Sequence, residues 1–236
     1  MQPLSAIIAA ILALALPLHA ATAIRHVEVS FYCFGYAPGV ESIQVDNGGK
    51  LQALRLSTAN ITQPVSLPVT AGKVVILRAT GDPATPAASL TIREGIDKAL
   101  VVLMPAAAGS SEPYRAFAID YGHAQFPLGT YQLVNVSTHP VRGAIGRSFA
   151  EVKPGAIAGL QLQGEPGTTQ GVRFEFQEDG KWNRLTETRC AVRRDRRWLV
   201  CVYQDPATHR MNLRSIPDRP AVAANTTTST AATASR

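Results

Sequence analysis

Apolar residues in this chain alternate with polar ones or fall in short runs, and they rarely recur at the helical period. In "HVEVSFYCF" the residues Val27, Val29, Phe31 and Cys33 share one face, as in a half-buried strand. The turn "DNGG" at 46–49 leads into "KLQALRLS", whose apolar positions are Leu51, Leu54 and Leu56. "KVVILRA", "ASLTIRE", "ALVVLMP", "YRAFAIDYG", "TYQLVNVS" and "GAIAGLQLQ" follow, separated by Gly, Pro, Asn and Asp clusters. About a dozen strands are expected, with "EGIDKAL" as a weak single-turn helix candidate. Short strands with frequent turns predict an all-β fold, an antiparallel immunoglobulin-like β-sandwich over residues 24–163. A C-terminal β-meander over 164–217 then either extends those sheets or packs as a small second domain.

The last third carries the clearest register. Asp179-Gly180 in "RFEFQEDGKWNRL" is a favoured type I′ hairpin turn. Counting outward pairs Glu178 with Lys181, Glu175 with Arg184 and Phe174 with Leu185. The next segment, "RCAVRRDRRWLVC" at 189–201, reads as a second hairpin around Asp195-Arg196. Arg193 then faces Trp198, and Cys190 faces Cys201 within reach of a disulfide. Buried reduced thiols are the alternative. A zinc site would need Cys33 and His209 as well, at no recognised spacing. Cys33 reads as a small apolar core residue.

The termini change the picture of where such a sandwich works. "LSAIIAAILALALPL" followed by Ala21-Thr22-Ala23 reads as an export signal over 1–23, although its first residues carry no Lys or Arg. Its apolar core, Leu4 to Leu16, is too short to span a bilayer, and no transmembrane segment is expected after its removal. The mature chain is therefore expected to be extracytoplasmic, periplasmic or secreted, in a compartment where disulfides persist. From 218 to 236 the chain is Ala-, Thr- and Ser-rich, the composition of a disordered tail.

The net charge of +6 is unevenly spread: +2 over residues 24–163 and +4 over 173–219. Arg193, Arg194, Arg196 and Arg197 with Trp198 make the candidate contact surface, suited to an acidic envelope polymer or another envelope protein. A solvated hairpin tip explains the same residues. Nucleic acid is disfavoured, because no nucleic-acid-binding motif accompanies the charge. There is no nucleophile elbow, zincin motif, P-loop or dinucleotide fingerprint, and no cofactor or metal is expected. Asp120 and His123 in "DYGH", with His139 or His26, are the one acid–base or metal candidate; a turn-stabilising role for them is the plainer reading. Ser110-Ser111 has no base placed nearby. Asn60-Ile61-Thr62 and Asn135-Val136-Ser137 match glycosylation sequons, relevant only in a eukaryotic secretory pathway.

Phe126, Pro127, Gly129, Tyr131, Asn135, Gly143, Gly146, Pro154 and Gly155 set out one pattern in "FPLGTYQLVNVSTHPVRGAIGRSFAEVKPG". With the later "WNRL" and "RRWLVCVYQDP", that pattern resembles an uncharacterised family of secreted β-sandwich proteins of environmental bacteria, and more widely immunoglobulin-like extracellular modules. The resemblance implies fold and location and carries no catalytic residue. Physically, Gly143 and Gly146 suit a bulge or close sheet approach, and Asn135 can bond local backbone where pairing ends. The reading is an exported, non-enzymatic β-sandwich protein with a binding or structural role at the cell envelope. The alternative is an extracytoplasmic hydrolase or polysaccharide-acting enzyme whose site only the fold assembles.

Overall fold

The computed structural model describes residues 24–80 and 85–218; residues 1–23, where an export signal is expected, and those beyond Asp218, where a disordered tail is expected, lie outside the described residues. Every regular element described is a strand. The first eight are β1 (Ile24–Cys33), β2 (Ser42–Asp46), β3 (Leu51–Arg55), β4 (Val65–Thr70), β5 (Lys73–Arg78), β6 (Pro86–Thr91), β7 (Lys98–Pro105) and β8 (Tyr114–Asp120). The second eight are β9 (Thr130–Asn135), β10 (Val141–Ile145), β11 (Ser148–Val152), β12 (Ile157–Gln161), β13 (Thr169–Glu178), β14 (Lys181–Ala191), β15 (Arg197–Gln204) and β16 (Met211–Asp218). The all-β expectation holds, and "EGIDKAL" is a turn leading into β7 rather than a helix. Arg25 shapes that turn, donating to the carbonyls of Ile92, Arg93 and Ile96.

β1 to β8 fold over at the β4–β5 turn, where only Thr70 and Lys73 pair, giving two layers. Sheet I runs β3-β2-β5-β6 and sheet II runs β4-β1-β7-β8. β9 to β16 repeat the same connectivity, with sheet III as β12-β9-β15-β16 and sheet IV as β11-β10-β13-β14. Even the exceptional parallel pair recurs, β1 with β7 and β9 with β15, while all other pairs are antiparallel. The sheets therefore divide between β8 and β9. The segment from 164 onward completes sheets begun by β9 to β12.

Sheets I and II enclose one core, including Val27, Val29, Phe31 and Cys33 opposite Ile43, Val45 and Ile76. Sheets III and IV enclose another, with Leu133, Leu160, Val200 and Val202 opposite Val141, Ile145, Val172 and Phe174. A third apolar layer joins the outer faces of II and III, where Tyr32, Leu100, Val102 and Ile119 meet Val134, Leu199, Cys201 and Ile216. Strands β7, β9 and β15 thus bury both faces, which is why "ALVVLMP", "YQLVNV" and "LVCV" are apolar runs without alternation. The result is four stacked sheets with I and IV facing outward.

Candidate binding surfaces

The Asp179-Gly180 turn is as expected, with φ of 50° and 74° at its two residues. Glu178 pairs with Lys181 and Glu175 with Arg184, but a bulge at Leu185 places Phe174 opposite Thr186. The second expected hairpin does not form. Cys190 in β14 pairs with Gln170 in sheet IV, while Cys201 in β15 pairs with Arg214 and lies beside Val134 in sheet III. Residues 192–196 instead cross from one sheet to the other. Neither Asp195 nor Arg196 has the positive φ a type I′ turn requires, and both edges of β15 are paired, with β9 and β16, which leaves no edge for β14. Cys33, Cys190 and Cys201 are all free thiols, which corrects the expected bridge.

The arginine cluster is dismantled by the same crossing. Arg197 is buried; it donates to the Asp218 carboxylate (2.7 Å) and the Phe126 carbonyl (2.6 Å), and its guanidinium sits 4.1 Å from the Tyr121 ring centre. Trp198 stacks on Tyr131 at 4.7 Å with an interplanar angle of 6°. Arg193 and Arg196 both bond Asp195, whose carboxyl they hold well below the usual carboxylate range. The cation over Trp198 is Arg196, not Arg193. Arg194 donates to the Gly164 carbonyl. Of the five proposed contact residues, only Arg193 and Arg194 are exposed.

The acid–histidine candidates are scattered. Asp120 accepts from the Gly122 N–H and lines a cleft of about 470 Å³ with Glu94, Gln125 and Gln132. His123 lines a different cleft of about 400 Å³, with Lys98, Tyr121, Arg197 and Asp218. His139 bonds the Gln177 carbonyl through Nδ1, and His26 lies 3.3 Å from the Ser66 hydroxyl. Among the described residues, no group of three His, Cys, Asp or Glu side chains is placed to hold a metal ion. Asn135 is fully buried, bonding the His139 and Val152 carbonyls and accepting from Ser137, so its sequon is a structural knot, while Asn60 is exposed.

The outward face of sheet IV was not singled out by the sequence. The β-alternation places Arg142, Glu151, Arg173, Glu175, Arg184 and Arg189 on that face, opposite the core positions Val141, Val172 and Phe174. Glu175 is nearly buried among arginines, receiving Arg142 Nε at 2.5 Å and Arg173 Nη2 at 2.6 Å, which lowers its pKa. The Arg142 guanidinium covers the Trp182 ring at 4.3 Å, and Arg184 pairs with Glu187 at 2.9 Å. Phe149 on β11 is 62% exposed. The signal was present as alternating Arg and Glu in "VRFEFQ" and "RLTETR", but it became a surface only once β10, β13 and β14 were paired.

No protein-family model matches the chain, and none of the curated proteins matches it. No helix among the described residues is long and apolar enough to cross a membrane.

Proposed function

We propose that this chain is a non-catalytic binding protein acting outside the cytoplasm, holding an acidic polysaccharide of the cell envelope on the outward face of sheet IV. The observation that carries the reading is the Arg142–Glu175–Arg173 lattice beside Trp182. Its guanidinium groups are held in place and suit sugar carboxylates, while the exposed Phe149 and the half-buried Trp182, one face of which Arg142 covers, suit the apolar faces of sugar rings. Bonds to a shared carboxylate fix the guanidinium orientations before any ligand arrives, which lowers the ordering cost of binding. The extracytoplasmic setting rests on the export signal read in residues 1–23 and on the resemblance to secreted sandwich proteins.

The test is retention on immobilised polygalacturonate at low salt. Trp182→Ala, Phe149→Ser and the pair Arg184→Ser with Arg189→Ser should each elute earlier than the parent chain. Arg193→Ser with Arg194→Ser should not change retention. Equal elution of the parent and the Trp182 and Phe149 variants would overturn the reading.

A further inference from the structure

Among the described residues, sheets II and III each end in a strand with one edge unpaired on the same side of the stack, β8 and β12, and these edges line two adjoining clefts that share Ile119 and Ile157. Ile119, Asp120, Gln132 and Gly159 border the larger, of about 470 Å³. Ala116, Ala118, Val136 and Ile157 border the other, of about 220 Å³. The phase of each ladder fixes which backbone groups face outward. Tyr121 N–H donates to Lys98 and Ala106 N–H to Pro113, so the odd-numbered residues of β8 bond β7. Ala116, Ala118 and Asp120 therefore turn their N–H and C=O groups to the open edge. On β12, Asn135 N–H donates to Ala156, so Ala158 and Leu160 bond β9 and the odd-numbered residues face away. Gln161 N–H is taken by the Ser148 hydroxyl, while Ile157 and Gly159 have no backbone partner on that side among the described residues.

Exposed edges of this kind are normally blunted by proline, lysine or inward charge. The duplicated topology supplies the comparison, because β4 and β16 are the counterparts of β12 and β8. The ladders put Pro68 of β4 and Pro217 of β16 at outward-facing positions, where each removes a donor from the free edge. β8 and β12 carry no such guard, with Ala116, Ala118 and Gly159 at the corresponding positions. A Cβ at Gly159 would meet nothing within 4 Å, so the space beside that edge is open. Where β8 ends, the groove mouth carries Asp120 of β8 and, on a loop that Arg25 pins through three carbonyls, Glu94 beside Arg93, so that the acids outnumber the base there.

We infer that the β8–β12 groove binds an extended peptide by strand addition to β8, antiparallel to it, with a basic residue at the peptide's N-terminal end. An antiparallel strand begins where β8 ends, so its first side chain meets Asp120 and Glu94. Ala116 and Ala118 add little bulk along this edge, and Leu90 and Thr91 of β6 form the other wall of the cleft.

The probe is a fluorescein-labelled hexapeptide, Lys-Val-Thr-Val-Thr-Val, titrated with the full chain and followed by fluorescence anisotropy. Saturable binding is expected, weakened at least tenfold by N-methylation of alternate peptide amides and by Ala118→Pro. Position 118 donates nothing to β7, so proline there removes only the outward N–H, and an unchanged melting temperature confirms the fold. Glu94→Lys, on an exposed loop, should weaken the Lys peptide and favour Glu-Val-Thr-Val-Thr-Val. Absent binding, or binding indifferent to both N-methylation and Glu94→Lys, overturns the inference. A parent-chain dimer in sedimentation that Ala118→Pro dissolves assigns the edge to a second copy and also overturns it. Trp182→Ala should leave peptide binding intact, which separates this outcome from the polysaccharide reading.

Discussion

The Arg197 guanidinium reaches the Asp218 carboxylate at 2.7 Å while donating to the Phe126 carbonyl at 2.6 Å, tying the first residue of β15 to the last described residue of β16 and to the loop before β9. Its side chain is 4% exposed. Removing one member of a buried pair leaves the other charge unpaired, so Arg197→Ala should cost about 3–5 kcal/mol of unfolding free energy. Arg193→Ala with Arg194→Ala, both on exposed side chains, should stay within about 0.5 kcal/mol. Urea unfolding of the two variants separates an architectural arginine from solvated ones. Equal effects would return Arg197 to the surface cluster.

The three thiols give a second check. Burial pushes the Cys201 thiol far above its usual range and raises Cys33 less, while Cys190 is only half-buried. Thiolate is the reactive form, so Cys190 should react first with a disulfide reagent in the native chain, and Cys33 and Cys201 only on unfolding. Unreduced chain in denaturant should titrate three thiols. A count of one would show a disulfide, and peptide mapping of the bridge to Cys190 and Cys201 would place β14 beside β15.

What the sequence made legible follows from the range of the interactions involved. Asp179-Gly180 was readable because a two-residue turn needing positive φ has few solutions, and its register follows by counting until the Leu185 bulge. "RCAVRRDRRWLVC" misled because symmetrical spacing around Asp195-Arg196 is a local pattern. The crossing is decided by partners 21 to 71 residues away, Asp218 and Phe126 for Arg197 and Thr168 for Val192. The duplication of strand order left no trace in motifs, since β7 and β15 share burial on two faces rather than residues at fixed offsets. The alternating Arg and Glu of sheet IV could not be read as a lattice for the same reason: Arg142 and Glu175 are 33 positions apart.

Glu175 makes stability depend on acid in a definite direction. Its pKa is lowered chiefly by the Arg142 hydrogen bond, with Arg173 adding to it against the opposing effect of burial. A carboxyl whose folded pKa lies below its unfolded value of about 4.3 stabilises the fold fully above that value. The contribution is lost as pH falls through the lowered folded pKa. Melting temperature should therefore drop as pH falls below the ordinary glutamate range. Glu175→Gln should melt lower than the parent at neutral pH, with a shallower acid limb. Parallel limbs in the two proteins would show that the lattice contributes nothing to acid sensitivity.

Gly143 faces Phe174 across the β10–β13 pair, and a Cβ there would lie 2.5 Å from the ring Cε1 and 3.0 Å from Leu133 Cδ2. Both neighbours are buried between sheets III and IV, so the ring can yield only by displacing the core. Gly143→Ala should destabilise by about 1–3 kcal/mol through overpacking. Adding Phe174→Leu should recover part of that loss, since the smaller side chain vacates the clash. Gly171 on β13 is the matched control: nothing lies within 4 Å of its Cβ position and its φ is not positive, so Gly171→Ala should be neutral or stabilise by about 0.4–1 kcal/mol. Chemical denaturation of the three variants checks both expectations. A Gly143→Ala chain as stable as Gly171→Ala would mean that sheets III and IV are not packed through Phe174.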